Sequence, residues 1–100
     1  MRRPNKAGGS DARQKIKQFA EVARRELDTD EIKELVRRTP GIEPEDRIIA
    51  YHFLADDMCD MDISVAEGVY CSRSSVGRHL CNVIPLIEYR FNLDKAKAGA

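Results

Sequence analysis

The spacing of its apolar residues constrains this chain most. Ile16, Phe19, Ala20, Ala23 and Leu27 recur at steps of three and four, the repeat that lines one face of an α-helix. Ile32, Leu35 and Val36 repeat the pattern, as do Ile48, Ile49 and Phe53, and then Val76, Leu80, Val83, Ile84 and Ile87. No segment alternates apolar and polar residues for long, as a half-buried strand would. The expected fold is therefore all-α, with about five helices.

Breaks between the stripes set the expected boundaries. Ser10 or Asp11 can cap the first helix, and Asp28-Thr29-Asp30 interrupts it, with Asp30 as the cap of the second. Thr39-Pro40-Gly41 ends the second helix, because the residue before proline avoids the helical region and glycine supplies a turn. Pro44 suits the first turn of a third helix, where its missing N–H costs nothing. Glu45 and Asp46 suit the positive end of that helix, which is expected to reach about Met58. A short fourth helix is expected from about Asp62 to Val69, burying Ile63, Ala66 and Val69. Gly68-Val69-Tyr70-Cys71 reads as a turn, and Ser72 as the cap of a fifth helix through about Phe91. The expected organisation is a disordered basic arm over 1–10, a helical pair over 11–39, a three-helix domain over 44–91 and a flexible tail over 92–100.

Formal net charge is zero over 100 residues, but the charge is segregated. Residues 1–25 hold eight Lys/Arg against two acids, residues 26–70 four against thirteen, and residues 71–100 five against two. Distribution, not the total, bears on a charged partner. Both basic segments could face one partner with the acidic middle turned away, or the charges could simply lie over a solvated surface. Cys59, Cys71 and Cys81 make an odd count that suits buried free thiols in a reducing compartment. No apolar run is long enough to span a membrane. "MRRPNKAGGS" has no apolar stretch behind its positive charge, so it does not read as a secretory signal. The expected location is the cytoplasm.

Residues 44–91 carry the informative pattern. A short helix, a turn of about four residues and a capped helix make a helix-turn-helix. Close crossing of its helices asks for a small residue, which Ala66 supplies, and its turn asks for an apolar plug, which Tyr70 or Cys71 supplies. At about 100° per residue, Val76, Leu80, Val83 and Ile87 gather on one side of the last helix, and Ser74, Ser75, Arg78 and Asn82 on the other. Gly77 lies at the flank, at a helical cost of ~1 kcal/mol relative to Ala; that cost has a use where a backbone or phosphate approaches. Arg can pair with guanine, Asn with adenine, and Ser with phosphate or base edges. The helix N-terminus, with Ser72 and Arg73, suits a phosphate. The expected DNA-contacting set is Ser72, Arg73, Ser74, Ser75, Gly77, Arg78 and Asn82. Pro85 removes the hydrogen bond to Cys81 and is expected to kink the helix beyond its reading half.

"SRSSVGRHLCNVI" resembles the recognition helix of LuxR-type regulators. Together with Tyr70-Cys71 before it and Ile84-Pro85-Leu86-Ile87-Glu88 after it, it is also similar to region four of sigma factors and to small sigma-like regulators of Firmicutes phages and mobile elements. The resemblance covers roughly residues 47–90. It implies a transcriptional regulator in which Arg73, Ser74, Ser75 and Arg78 touch DNA while Ala66, Val76 and Leu80 are core. The stretch "ADDMCDMD" departs from the family pattern by being longer and more acidic. Its carboxylates must point away from phosphates, or the docking differs.

The expected partner is double-stranded DNA, read by a homodimer, because one helix reads only a few base pairs. Leu86 to Phe91, or the first helix, is the expected dimer surface. The alternative is a protein-interaction module of the same fold, binding RNA polymerase or another protein through the acidic middle. His52, His79 and the cysteines lack zinc spacing, and Asp56, Asp57, Asp60, Asp62 and Glu67 lack the alternation of a calcium loop. No nucleophile, base and orienter can be assembled from spacing. No enzyme activity, cofactor or metal is expected. His79 reads as a half-buried core edge, with a phosphate contact as the other possibility. Arg2, Arg3, Lys6, Arg13, Lys15 and Lys17 read either as a solvated tail or as a groove-binding arm.

Overall fold

A computed structural model of the chain describes residues 7–99. Among the described residues there are five helices and no strand: α1 (Ala7–Glu26), α2 (Thr29–Arg38), α3 (Pro44–Leu54), α4 (Asp60–Ser64) and α5 (Arg73–Gly99). The all-α expectation holds. Helix α5 is the central post, touching each of the other four.

The apolar stripes do what their spacing implies. Ile16, Phe19, Ala20 and Ala23 of α1, Ile32, Leu35 and Val36 of α2, and Ile49, Ala50, Phe53 and Leu54 of α3 all face one core. Ile63 of α4 joins them, as do Val76, Leu80, Val83, Ile84, Ile87 and Phe91 of α5. Phe19 and Phe91 meet edge to face at 5.4 Å, which seats α1 on the far half of α5. Burying one such side chain stabilises the fold by about 1.5–3 kcal/mol.

Several boundaries differ from expectation. The cap of α2 is Asp28, not Asp30: its carboxylate accepts the Glu31 N–H at 2.8 Å while Glu31 accepts the Asp28 N–H at 2.9 Å. This reciprocal box satisfies two orphan donors at once and starts the helix earlier. Residues 1–6 of the supposed arm lie outside the described residues, and residues 7–10 belong to α1, because extending a formed helix adds a hydrogen bond for each residue fixed. Helix α3 stops at Leu54, and the chain reverses at Asp57 with φ +55. The supposed tail after Phe91 is helical to Gly99. Arg38 of α2 pairs with Asp94, and Lys95 reaches Glu26 at 3.0 Å, so α1 and α2 hold the last turns. Pro85 interrupts neither the helix nor its buried face.

The junction between α4 and α5 departs furthest. Helix α4 ends at Ser64, whose hydroxyl turns back onto the Met61 carbonyl at 2.7 Å, a bond that competes with continued helix. Residues 65–72 then form an eight-residue connection in place of the expected four-residue turn. Gly68 passes directly over Ile48 with φ +88. Val69 is the buried plug, Cys71 packs partly against the core, and Tyr70 is 88% exposed. Ala66 lies in this connection, half-buried, and not on a helix.

Candidate nucleic-acid interface

Helix α5 presents two faces. Its inner face is locked: Val76, Leu80, Ile84 and Ile87 are fully buried. On its outer face, Ser74, Arg78 and Asn82 are exposed, and Ser75 is half-buried beside them. Arg73, the first helical residue, is exposed as well. Neither Arg73 nor Arg78 has an ion-pair partner among the described residues.

Ser72 stands just before the helix. Its carbonyl accepts the Val76 N–H at 3.1 Å, and its hydroxyl meets those of Ser74 at 3.1 Å and Ser75 at 3.2 Å. Three hydroxyls thus gather at the helix N-terminus, with that of Ser72 meeting the other two. Each can exchange that contact for an acceptor such as a phosphate oxygen.

Gly77 is placed differently from the rest of the expected set. A Cβ there would lie 3.0 Å from Arg13 Nη1 and 3.4 Å from Asp60 Oδ2. The atoms that approach this glycine are therefore an intramolecular ion pair, Arg13 to Asp60 at 2.6 Å. Gly77 lets α1 and α4 close on α5. It faces them and not the outer row.

Acids of α3 hold the reading end in position. Glu45 accepts the Tyr70 N–H at 2.7 Å, fixing the connection just ahead of α5. Asp46 meets His79 Nδ1 at 2.6 Å, tying the first turn of α3 to the second turn of α5. The sequence reading placed both acids only at the positive end of α3. Their tethering role carries no local signal, since each partner lies 25 or more residues away. His79 is half-buried, as expected for a core edge. Burial, then the neighbouring Glu45 carboxylate, pushes the Cys71 thiol up, so it stays protonated and unreactive near neutrality. The expectation of buried thiols fails at Cys59, which is exposed, and holds only in part at Cys71 and Cys81.

The acidic middle is answered from within the fold. Asp60 pairs with Arg13, Asp57 lies 3.5 Å from Arg24, and Asp56 meets His52 at 2.8 Å. Arg24 also donates to the Phe53 and Leu54 carbonyls at 3.0 and 3.1 Å, capping α3. The basic first segment therefore does not simply join the basic last segment on one face: two of its arginines neutralise the 56–60 stretch. Among the described residues no helix is long and apolar enough to cross a membrane, and no three His, Cys, Asp or Glu side chains gather as a metal site requires. No family model, curated protein or solved structure matches this chain.

Proposed function

We propose that the chain is a sequence-specific DNA-binding transcriptional regulator that enters the major groove with the N-terminal half of α5. One observation carries this reading: Ser74, Arg78 and Asn82 are exposed on a helix whose opposite face is fully buried, and Arg73 is exposed at the helix's first residue. A helix so held delivers its outer side chains at a fixed orientation, and base-edge pairing depends on that orientation. Among the described residues the two arginines have no carboxylate partner to leave before they meet DNA. Ser72, Ser74 and Ser75 supply phosphate contacts, and Asn82 a base contact or a water-mediated one. Gly77 is not assigned a contact, because Arg13 and Asp60 occupy its surroundings.

Fluorescence anisotropy with duplex DNA at several salt concentrations tests the reading, with the Arg73→Ala/Arg78→Ala double variant alongside. Wild type is expected to bind with a steep salt dependence, and the double variant to lose most of that binding. If neither protein binds even at low salt, the DNA reading falls, and the fold serves a protein partner such as RNA polymerase.

A further inference from the structure

The acidic middle of the chain contains a groove that no acid lines. Residues 26–70 hold four Lys/Arg against thirteen acids. Three of those four, Lys33 and Arg37 of α2 and Arg47 of α3, line one open groove between the two helices, and none of the thirteen acids does. The floor is apolar: Val36 is buried, and Ile48 and Tyr51 are half-buried. Gly68 packs over Ile48 and fixes one side of that floor. The space is about 380 Å³, the small end of what a binding site takes.

The cations around this floor are only partly answered. Lys33 is exposed and has no ion-pair partner among the described residues. Arg47 donates through Nη1 to the Val36 and Arg37 carbonyls at 2.6 and 2.5 Å. Those carbonyls lie in the last turn of α2, and the partial negative charge of a helix C-terminus offsets only part of a full cation. Arg37 holds Glu34, but both are exposed, so the pair is weak and open to exchange. His52, which completes the wall, keeps its Nδ1 on Asp56.

We infer that the α2–α3 groove is a docking site for a short acidic segment of a partner protein, with an apolar anchor on the floor and Asp or Glu flanking it toward Lys33, Arg37 and Arg47. Charge complementarity selects the sign of the occupant, and the apolar floor selects its kind. A nucleic-acid backbone would satisfy the cations but bring nothing apolar to cover Ile48 and Tyr51, whereas an apolar side chain removes both from water. The chain's own first residues include Arg2, Arg3 and Lys6 and have the wrong sign. Size sets the length of the segment. Lys33 to Arg37 is about one turn of α2, and Arg47 to His52 spans ~8 Å of α3, so the occupant is a short motif and the contact a transient one. The groove shares no residue with the outer row of α5. A protein partner would thus meet the acidic middle through its cations, not through its carboxylates.

Selection from a phage-displayed library tests the site on the full chain. The library holds peptides of about ten residues, random at the centre and restricted to Asp, Glu, Asn and Gln at the flanking positions. Enriched peptides are expected to carry Asp or Glu over Asn or Gln in the flanks and a large apolar residue at the centre. The most enriched peptide, made synthetically and titrated into labelled protein to about 1 mM, should move the NMR signals of Val36, Ile48 and Tyr51 before others. Its binding should weaken as salt rises, and Ala at its centre should abolish it. Lys33→Glu, at an exposed position, should keep the wild-type helical spectrum and lower the affinity for the peptide by about tenfold or more. No enrichment, equal enrichment of Asn/Gln and Asp/Glu flanks, signals that move elsewhere, or a Lys33→Glu variant that binds as well as wild type would each overturn the site. Duplex DNA that moves the same signals, with a salt slope that Lys33→Glu lowers by about one, would assign the groove to phosphate and overturn the peptide. Peptide binding by a protein that binds no duplex DNA would sustain the groove and end the DNA reading.

Discussion

Two glycines show how differently the same residue can be used. Gly68 carries φ +88, and a Cβ on it would sit 2.6 Å from Ile48 Cδ1. Both the backbone conformation and the space demand glycine, because α3 and the α4–α5 connection touch there. Gly68→Ala is therefore expected to destabilise the fold by about 1–3 kcal/mol, read as a lower urea midpoint. Gly77 has ordinary helical geometry, and the atom nearest its absent Cβ is the mobile end of Arg13. A methyl group there gains up to ~1 kcal/mol of helix propensity if Arg13 shifts by a few tenths of an ångström. Gly77→Ala should therefore be neutral or mildly stabilising and leave DNA affinity unchanged. A variant that kept its stability but lost affinity would put a phosphate against Gly77 after all, as the sequence alone suggested.

Helix identity was legible in the sequence wherever a stripe of three or more apolar residues met a breaker, and boundaries were legible only where the breaker acted locally. Pro44 and Thr39-Pro40-Gly41 act through their own backbone, so the end of α2 and the start of α3 fell where expected. The end of α4 depends on Ile48 lying beneath Gly68 and on Ser64 bonding back to Met61, and neither relation shows in a pattern of apolar residues. The end of α5 was missed for a related reason. Residues 92–99 are small and charged, like a tail, but Arg38 and Glu26, more than fifty residues earlier in the chain, hold them in place. The outer row of the candidate site, in contrast, was readable from helical periodicity, except at Gly77. The Asp94 carboxyl is held below its ordinary range, first by the hydrogen bond from Arg38, with burial pushing the other way and the Arg38 charge adding to the lowering. A carboxyl lowered in the folded state contributes stability that is complete above about pH 4 and is lost as pH falls through the folded value. The protection factors of amides in the last turns of α5, their exchange relative to the unstructured rate at the same pH, should therefore fall as the solution is acidified below about pH 4. Asp94→Asn should flatten that dependence while exchanging faster than wild type near neutrality. An unchanged acid profile in Asp94→Asn would mean that another carboxylate governs these turns.

At the scale of the whole molecule, segregated charge is turned inward before it is turned outward. The first 25 residues are strongly basic and the middle strongly acidic, and the fold brings Arg13 against Asp60 and Arg24 against Asp57. What remains for a polyanion is set less by how many cations the chain holds than by which are already paired. Arg13 is spent on Asp60 and Arg78 is not, although the two belong to neighbouring helices in contact. This difference separates their effects on DNA binding. A cation that meets a phosphate releases condensed counterions, and its removal lowers the slope of log affinity against log salt by about one. Arg78→Gln should lower that slope if Arg78 meets a phosphate. If it meets a guanine, Arg78→Gln should instead cost about 1–3 kcal/mol on a preferred site and little on random sequence. Arg13→Gln should do neither. Its pair with Asp60 is partly exposed, so its removal should cost no more than about 1 kcal/mol of stability, and the salt slope should stay at the wild-type value. Equal loss of slope in both variants would mean that Arg13 leaves Asp60 when DNA arrives. Helix α1 would then lie on the duplex, and the uncovered Asp60 would have to be accommodated close to the reading helix.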